Sequence, residues 1–138
     1  MTGHSFRCMV VTPEAVMVDV QVTSAVFCAH DGLTGVLPGH APFLSKLGTG
    51  IVRYRDVENN NNDKGETVVF IHGGLGHVQG KTLTLFCREA ITRDRVSLDE
   101  AEEALREAHD MPKTTAKQLE IRQAALQRAK DLMRLAQS

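Results

Sequence analysis

Apolar residues recur at every second position through most of the first two-thirds of the chain. Phe6, Cys8 and Val10 are separated by Arg7 and Met9, and Val16, Val18 and Val20 by Met17 and Asp19. Val22 to Ala29 is a longer, almost wholly apolar run. Ile51 to Arg55, Thr67 to His72 and Thr82 to Arg88 continue the series, with Leu83, Leu85 and Cys87 on one face. Period-two alternation broken by Gly, Pro and Asn predicts short strands in an antiparallel sandwich or flattened barrel. Asn59 to Gly65 reads as a solvated hairpin tip.

The period changes after Val96. Ser97-Leu98-Asp99-Glu100 has the form of a capping box, in which the Ser97 hydroxyl accepts from the Glu100 amide and the Glu100 carboxylate reaches back. Leu98, Ala101, Leu105 and Ala108 then follow at helical spacing to about His109, and Met111-Pro112 ends the helix. Thr115 and Gln118 open a second helix over Ala116 to Ala136, with a stripe of Leu119, Ala125, Leu126, Ala129, Leu132, Met133 and Ala136. The expected fold is α+β: a β-sandwich domain over 1–96, then an antiparallel two-helix hairpin over 97–138.

Charge divides the hairpin. Residues 97–110 hold six acids and one base, net −5; residues 111–138 hold six bases and two acids, net +4. Exposed ion pairs contribute only about 0–1 kcal/mol each. The apolar seam is largely alanine, and each fully buried Leu or Met adds about 1.5–3 kcal/mol against a cost of about 1–2 kcal/mol per ordered residue. The expectation is an arm that folds down under some conditions and lets go under others, leaving its basic helix free for an acidic partner.

Overall net charge is −1, so no global field recruits nucleic acid or an anionic membrane. Five Phe, one Tyr and no Trp are a poor supply of stacking platforms for single strands. Cys8, Cys28 and Cys87 are an odd, scattered set and read as buried thiols of a reducing compartment. The N-terminus carries no signal-peptide pattern, and no apolar run approaches the roughly 20 residues that cross a bilayer. A membrane machine would therefore hold this chain peripherally.

Candidate chemistry is sparse. His4, His30, His40, His72, His77 and His109 never form a His-x-His or His-Glu-x-x-His pair, and no Cys-x-x-Cys occurs, so no metal site is expected. Gly73-Gly74-Leu75-Gly76 precedes strand-like sequence instead of a helix, which makes it a strand turn with close backbone approach and not a phosphate cradle. Neither a nucleophile elbow nor a Walker-type loop is present, and neither a catalytic set nor a cofactor is expected. The rival reading from another class is a metal-dependent enzyme on a jelly-roll-like domain using His40, His72 and His77.

Asp31-Gly32-Leu33-Thr34-Gly35-Val36-Leu37-Pro38-Gly39-His40-Ala41-Pro42-Phe43-Leu44 is the most distinctive stretch. Its glycines permit turns, and its prolines are expected to bias Gly39 and Ala41 towards extended backbone. Leu33, Leu37, Phe43 and Leu44 supply apolar contacts, and His40 is placed to close the loop through a hydrogen bond. A rigid loop suited to a protein contact is the expectation.

This stretch resembles the strongest motif of the epsilon subunit of the bacterial F-type ATP synthase, the equivalent of the mitochondrial delta subunit. The resemblance extends through Val11-Thr12-Pro13-Glu14, Gly73-Gly74, Val78 and Leu98-Asp99-Glu100-Ala101. It implies a non-catalytic rotor-stalk subunit of a proton-translocating synthase, peripheral on the cytoplasmic face of the bacterial inner membrane. It further implies that Asp31, Gly32, Leu33, Thr34, Gly35, Pro38, His40 and Pro42 face the c-ring, and that another surface holds the gamma subunit. The hairpin, through Ser97, Leu98, Asp99, Arg122, Arg128, Lys130 and Arg134, would reach the catalytic subunits and inhibit hydrolysis. Many members of that family bind ATP through Leu/Ile-Asp-x-x-Arg-Ala. Here the Arg and Ala positions hold Glu102 and Glu103, whose carboxylates repel a phosphate, so no useful nucleotide binding is expected. Arg106, one turn on, is at best a weak substitute. The family's Ala-Asp before the last strand is altered to Arg88-Glu89-Ala90, which bears on the local gamma contact.

Overall fold

The computed structural model describes residues 4–57 and 66–137. The hairpin tip read at Asn59–Gly65 therefore lies outside the described residues. Two compact units are present, Met1–Ile91 and Thr92–Ser138. The division falls before the 3-10 turn Arg93–Arg95, which packs with the second helix.

The first unit holds seven strands: β1 (Phe6–Val11), β2 (Val16–Ala29), β3 (Gly32–Val36), β4 (Phe43–Lys46), β5 (Thr49–Asp56), β6 (Thr67–Gln79) and β7 (Thr82–Thr92). Hydrogen bonding runs β1-β7-β6-β5-β2, and β2 pairs back with β1, so five strands close into a ring. The expected sandwich or flattened barrel is thus a closed barrel with two added strands. Its pairings are antiparallel except that β1 runs parallel to β7, with Cys8 opposite Leu83 and Val10 opposite Leu85. A strand that joins the first and last elements of the ring can be parallel because no tight turn connects them.

Two long strands serve more than one neighbour. β2 pairs with β1 over its first half and with β3 over its last five residues. β6 pairs with β5 from Thr67 to His72 and with β4 from Leu75 to Val78. The change of partner on β6 coincides with Gly73 and Gly74, whose φ angles are +64° and +118°. A Cβ on Gly74 would lie 1.7 Å from the Phe86 carbonyl oxygen of β7. The glycine run therefore permits close backbone approach as read, but inside a continuous strand and not at a turn.

Alternation sends Phe6, Cys8, Val10, Val22, Phe27, Val52, Val69, Ile71, Leu83 and Leu85 into one buried core. Ile51 and Phe70, opposite each other on β5 and β6, are buried as well, outside that cluster. Cys8 and Cys87 are buried as expected. Cys28 is only half-buried, because the residues of β2 alternate in direction and its neighbours Phe27 and Ala29 take the core side.

The stretch from Asp31 to Leu44 is not one loop. Gly32–Val36 forms β3, paired with β2, and the irregular part is limited to residues 37–42. Gly39 is not extended, since its φ is +84°. The residue that precedes Pro38 is Leu37, so proline's bias does not act on Gly39. Instead Leu37-Pro38-Gly39-His40 makes a β-turn, with His40 N–H donating to the Leu37 carbonyl at 3.1 Å. Proline at the second place and a positive-φ glycine at the third are the requirements of a type II turn.

The second unit is the two-helix hairpin α1 (Leu98–His109) and α2 (Ala116–Gln137), which pack on each other. Ala101 and Ala108 are the buried residues of α1; Ala129, Asp131, Leu132 and Leu135 are those of α2. Leu98 and Leu119, expected in the seam, are exposed, and Leu135, outside the expected stripe, is fully buried.

Replacing Gly74 by alanine should cost the β-unit at least about 2 kcal/mol, through positive φ and overlap with Phe86. Gly80→Ala, at φ +61° but with open space around the Cβ position, should cost less. Urea unfolding of the two variants measures the difference.

Candidate functional site

The turn at 37–42 is the exposed end of a built structure. His40 Nδ1–H donates to the Ala41 carbonyl at 2.8 Å, so His40 closes the loop locally. Its ring meets Phe43 edge to face with centroids 5.2 Å apart, and Phe43 stacks on core Phe27 at 6.3 Å. A polar cap is thus tied to the barrel centre through two aromatic contacts. Leu33, Leu37 and Leu44 are left 67%, 63% and 67% exposed. Asp31, Gly32, Gly35, His40 and Pro42 are exposed beside them, and Thr34 and Pro38 are half-buried. The expected residues thus divide between the two ends of β3, with Asp31, Gly32 and Leu33 at the β2–β3 turn and Pro38, His40 and Pro42 in the turn that follows β3.

An adjoining groove went unread in the sequence. Pro42, Leu44, Leu75, His77 and Phe86 line a hollow of about 570 Å³, with Phe86 50% exposed. Phe86 was legible as the apolar residue out of phase with Leu83, Leu85 and Cys87. Leu75 was hidden between glycines.

The histidines do not converge. Among the described residues no three His, Cys, Asp or Glu side chains are placed to share a metal ion. His72 Nδ1 lies 2.6 Å from Thr49 Oγ1, an exposed cross-strand hydrogen bond between β6 and β5, and His77 belongs to the groove wall. Burial pushes the Cys8 and Cys87 thiols up to about 12, so neither offers a thiolate at neutral pH.

The helical unit is positioned by its caps. Ser97 Oγ accepts from the Glu100 amide at 3.1 Å. At α2, Thr115 Oγ1 accepts from the Gln118 amide, and Gln118 Oε1 accepts in turn from the Thr114 and Thr115 amides at 3.0 and 3.1 Å. This reciprocal box satisfies donors that a helix start otherwise leaves unpaired. Leu98, Asp99, Glu102 and Glu103 are exposed on α1. Arg106 forms an ion pair with Glu103, which engages the cation one turn beyond the degraded nucleotide motif. The basic residues of α2 divide. Arg122 reaches back to the end of α1, its Nη2 donating to the His109 carbonyl at 3.4 Å, whereas Lys130 and Arg134 are exposed and Arg128 is half-buried.

The description ATP synthase, Delta/Epsilon chain, beta-sandwich domain fits residues 5–93 by family model. An ATP synthase epsilon chain from Rhodopirellula baltica is 35% identical over 130 residues, 94% of this chain and 97% of its own length.

The chain belongs to the ATP synthase delta/epsilon family.

Another relative, the ATP synthase epsilon chain of Trichlorobacter lovleyi, is 32% identical over 97% of this chain and 95% of its own length. The alignment thus runs through the helical hairpin as well as the β-unit. Among solved structures, a chain of the Euglena gracilis mitochondrial ATP synthase is similar with a TM-score of 0.75, covering 94% of this chain and 79% of that one at 19% identity. That likeness concerns the fold. Epsilon is the name of a subunit, and membership gives the chain an accessory place in a membrane-associated complex; the rival metal-enzyme reading finds no support.

Ser97→Ala should cost the helical unit about 1 kcal/mol by removing the acceptor for Glu100, and Thr115→Ala about as much. Thermal unfolding followed by far-ultraviolet circular dichroism checks both.

Proposed function

We propose that the chain is a non-catalytic rotor subunit in the central stalk of a proton-translocating F-type ATP synthase. It couples rotation of the c-ring to ATP synthesis and carries no chemistry of its own. The observation that carries this reading is the outer face of β3: Leu33 and Leu37 stand exposed along it, and at Leu37 it runs into a type II turn tied to the core by aromatic contacts. Exposed apolar residues on a stiff support suit a protein contact better than a substrate site. On this reading the Asp31–Pro42 segment meets the polar loops of the c-ring and a second surface of the barrel meets the gamma subunit. The complex sits at the cytoplasmic face of the bacterial inner membrane, with this chain peripheral.

The hairpin is the regulatory part. Its seam is alanine-rich, and Lys130 and Arg134 project from a helix of net positive charge, which suits an acidic segment of the catalytic subunits. Purified catalytic core should hydrolyse ATP more slowly with the full chain than with a version ending at Val96. Equal rates would remove the brake. Co-purification of the full chain with a gamma-like stalk protein separates a rotor subunit from a free-standing adaptor.

Nucleotide does not regulate this arm. Glu102 and Glu103 stand where a phosphate-facing cation and a small residue would be needed, and Arg106 is occupied by Glu103. Isothermal titration of the full chain with ATP should give no micromolar binding; such an affinity would overturn this.

A further inference from the structure

The groove on β4, β6 and β7 has two unlike ends. Leu44 of β4 stands opposite His77 of β6, Lys46 stands opposite Leu75, and Phe86 of β7 completes the hollow. Leu75 is 47% exposed, and Leu44 and Phe86 are more open still, so three large apolar side chains share one outer face. Two exposed cations gather at the end away from Pro42. Lys46 is beside Leu75. Arg88 follows Phe86 by two residues and so keeps to the same side of β7. Its stem lies along β6, where a Cβ on Gly73 would be 3.3 Å from Arg88 Cδ.

This face has no acid to answer them. β4 and β6 contain none, and alternation turns Glu89, the one acid of β7, to the opposite side from Arg88. Among the described residues neither Lys46 nor Arg88 enters an ion pair. The hollow is open, with its cations at the rim, which suits a protein segment better than an enclosed small ligand. A second copy on the same face would bring no carboxylate either, since a twofold contact pairs a patch with itself.

We propose that Lys46 and Arg88 select and orient a partner segment in this groove. An apolar side chain enters among Leu44, Leu75 and Phe86, and carboxylates follow at the Gly73 end. The partner is the gamma-like stalk protein of the rotor reading, on which this assignment rests. The apolar floor supplies affinity and the cations supply direction. A segment laid in reverse would press its acids on Leu44 and leave Lys46 and Arg88 uncompensated.

Titration of the full chain with the purified gamma-like stalk protein, at about 50 and about 300 mM salt, tests this. Phe86→Ala should weaken binding about tenfold or more at both salt concentrations. Arg88→Glu and Lys46→Glu should each weaken it about fivefold or more at low salt and less at high salt, whereas Arg88→Lys should keep most of the affinity. Arg53→Glu, at an exposed cation of β5 outside the groove, should stay within about twofold of the natural chain. Urea unfolding of each variant separates lost docking from lost folding, and these exposed positions should leave the midpoint unchanged. Groove variants that bind like the natural chain, charge reversals whose effect salt does not reduce, or an equal loss in Arg53→Glu would each overturn the proposal and leave the rotor reading standing. Absence of binding by the natural chain would remove both. A concentration-dependent dimer abolished by Phe86→Ala would give the groove to a second copy and overturn the proposal as well.

Discussion

The contact between the β6 backbone at Gly74 and the β7 backbone at Phe86 is the constraint on which the β-unit rests. β6 must leave β5 and take up β4 without leaving β7, and there is no room for a side chain where it turns its edge. If β6 could not bend there, β4 would have no partner, and Leu44 and Leu75 would not meet along the groove. The parallel lodging of β1 beside β7 then closes the ring and removes the exposed edges that an open sheet of this size would present.

The two units are stabilised in different ways. The barrel buries large apolar side chains from every strand of its ring, so its geometry is over-determined. The hairpin buries three alanines, two leucines and an acid, and its definition comes largely from its ends. Two capping arrangements and the Arg122–His109 contact set where each helix begins and how the elbow is held. Strong local definition with weak lateral packing is what a helical pair needs if it is to separate from its surroundings and stay helical.

Legibility followed the range of the interactions. Helix boundaries and caps were readable because Ser97, Thr115 and Gln118 act within four residues of themselves. The barrel class was readable because alternation is local. β3 and β4 were not, since both are short and β4 owes its pairing to the distant β6, and the proline bias was assigned to Gly39, after Pro38, instead of to Leu37, before it. Leu119 was read as the start of the apolar stripe of α2, two seven-residue steps before Met133. A straight helix drifts about 20° per such step, which carries Leu119 off the buried side. Asp131 looked like one of two acids in a basic helix. Its burial is a property of packing that no single helix announces.

The aromatic tie beneath the Leu37–His40 turn also sets how that end of the molecule responds to force. His40 rests on Phe43, and Phe43 lies parallel to Phe27 in the barrel centre, so a push on the tip is met by ring-on-ring compression and not by loop bending. Such a projection behaves as a stiff cog tooth: it hands displacement to the whole barrel with little elastic loss, and any compliance in the molecule must reside elsewhere.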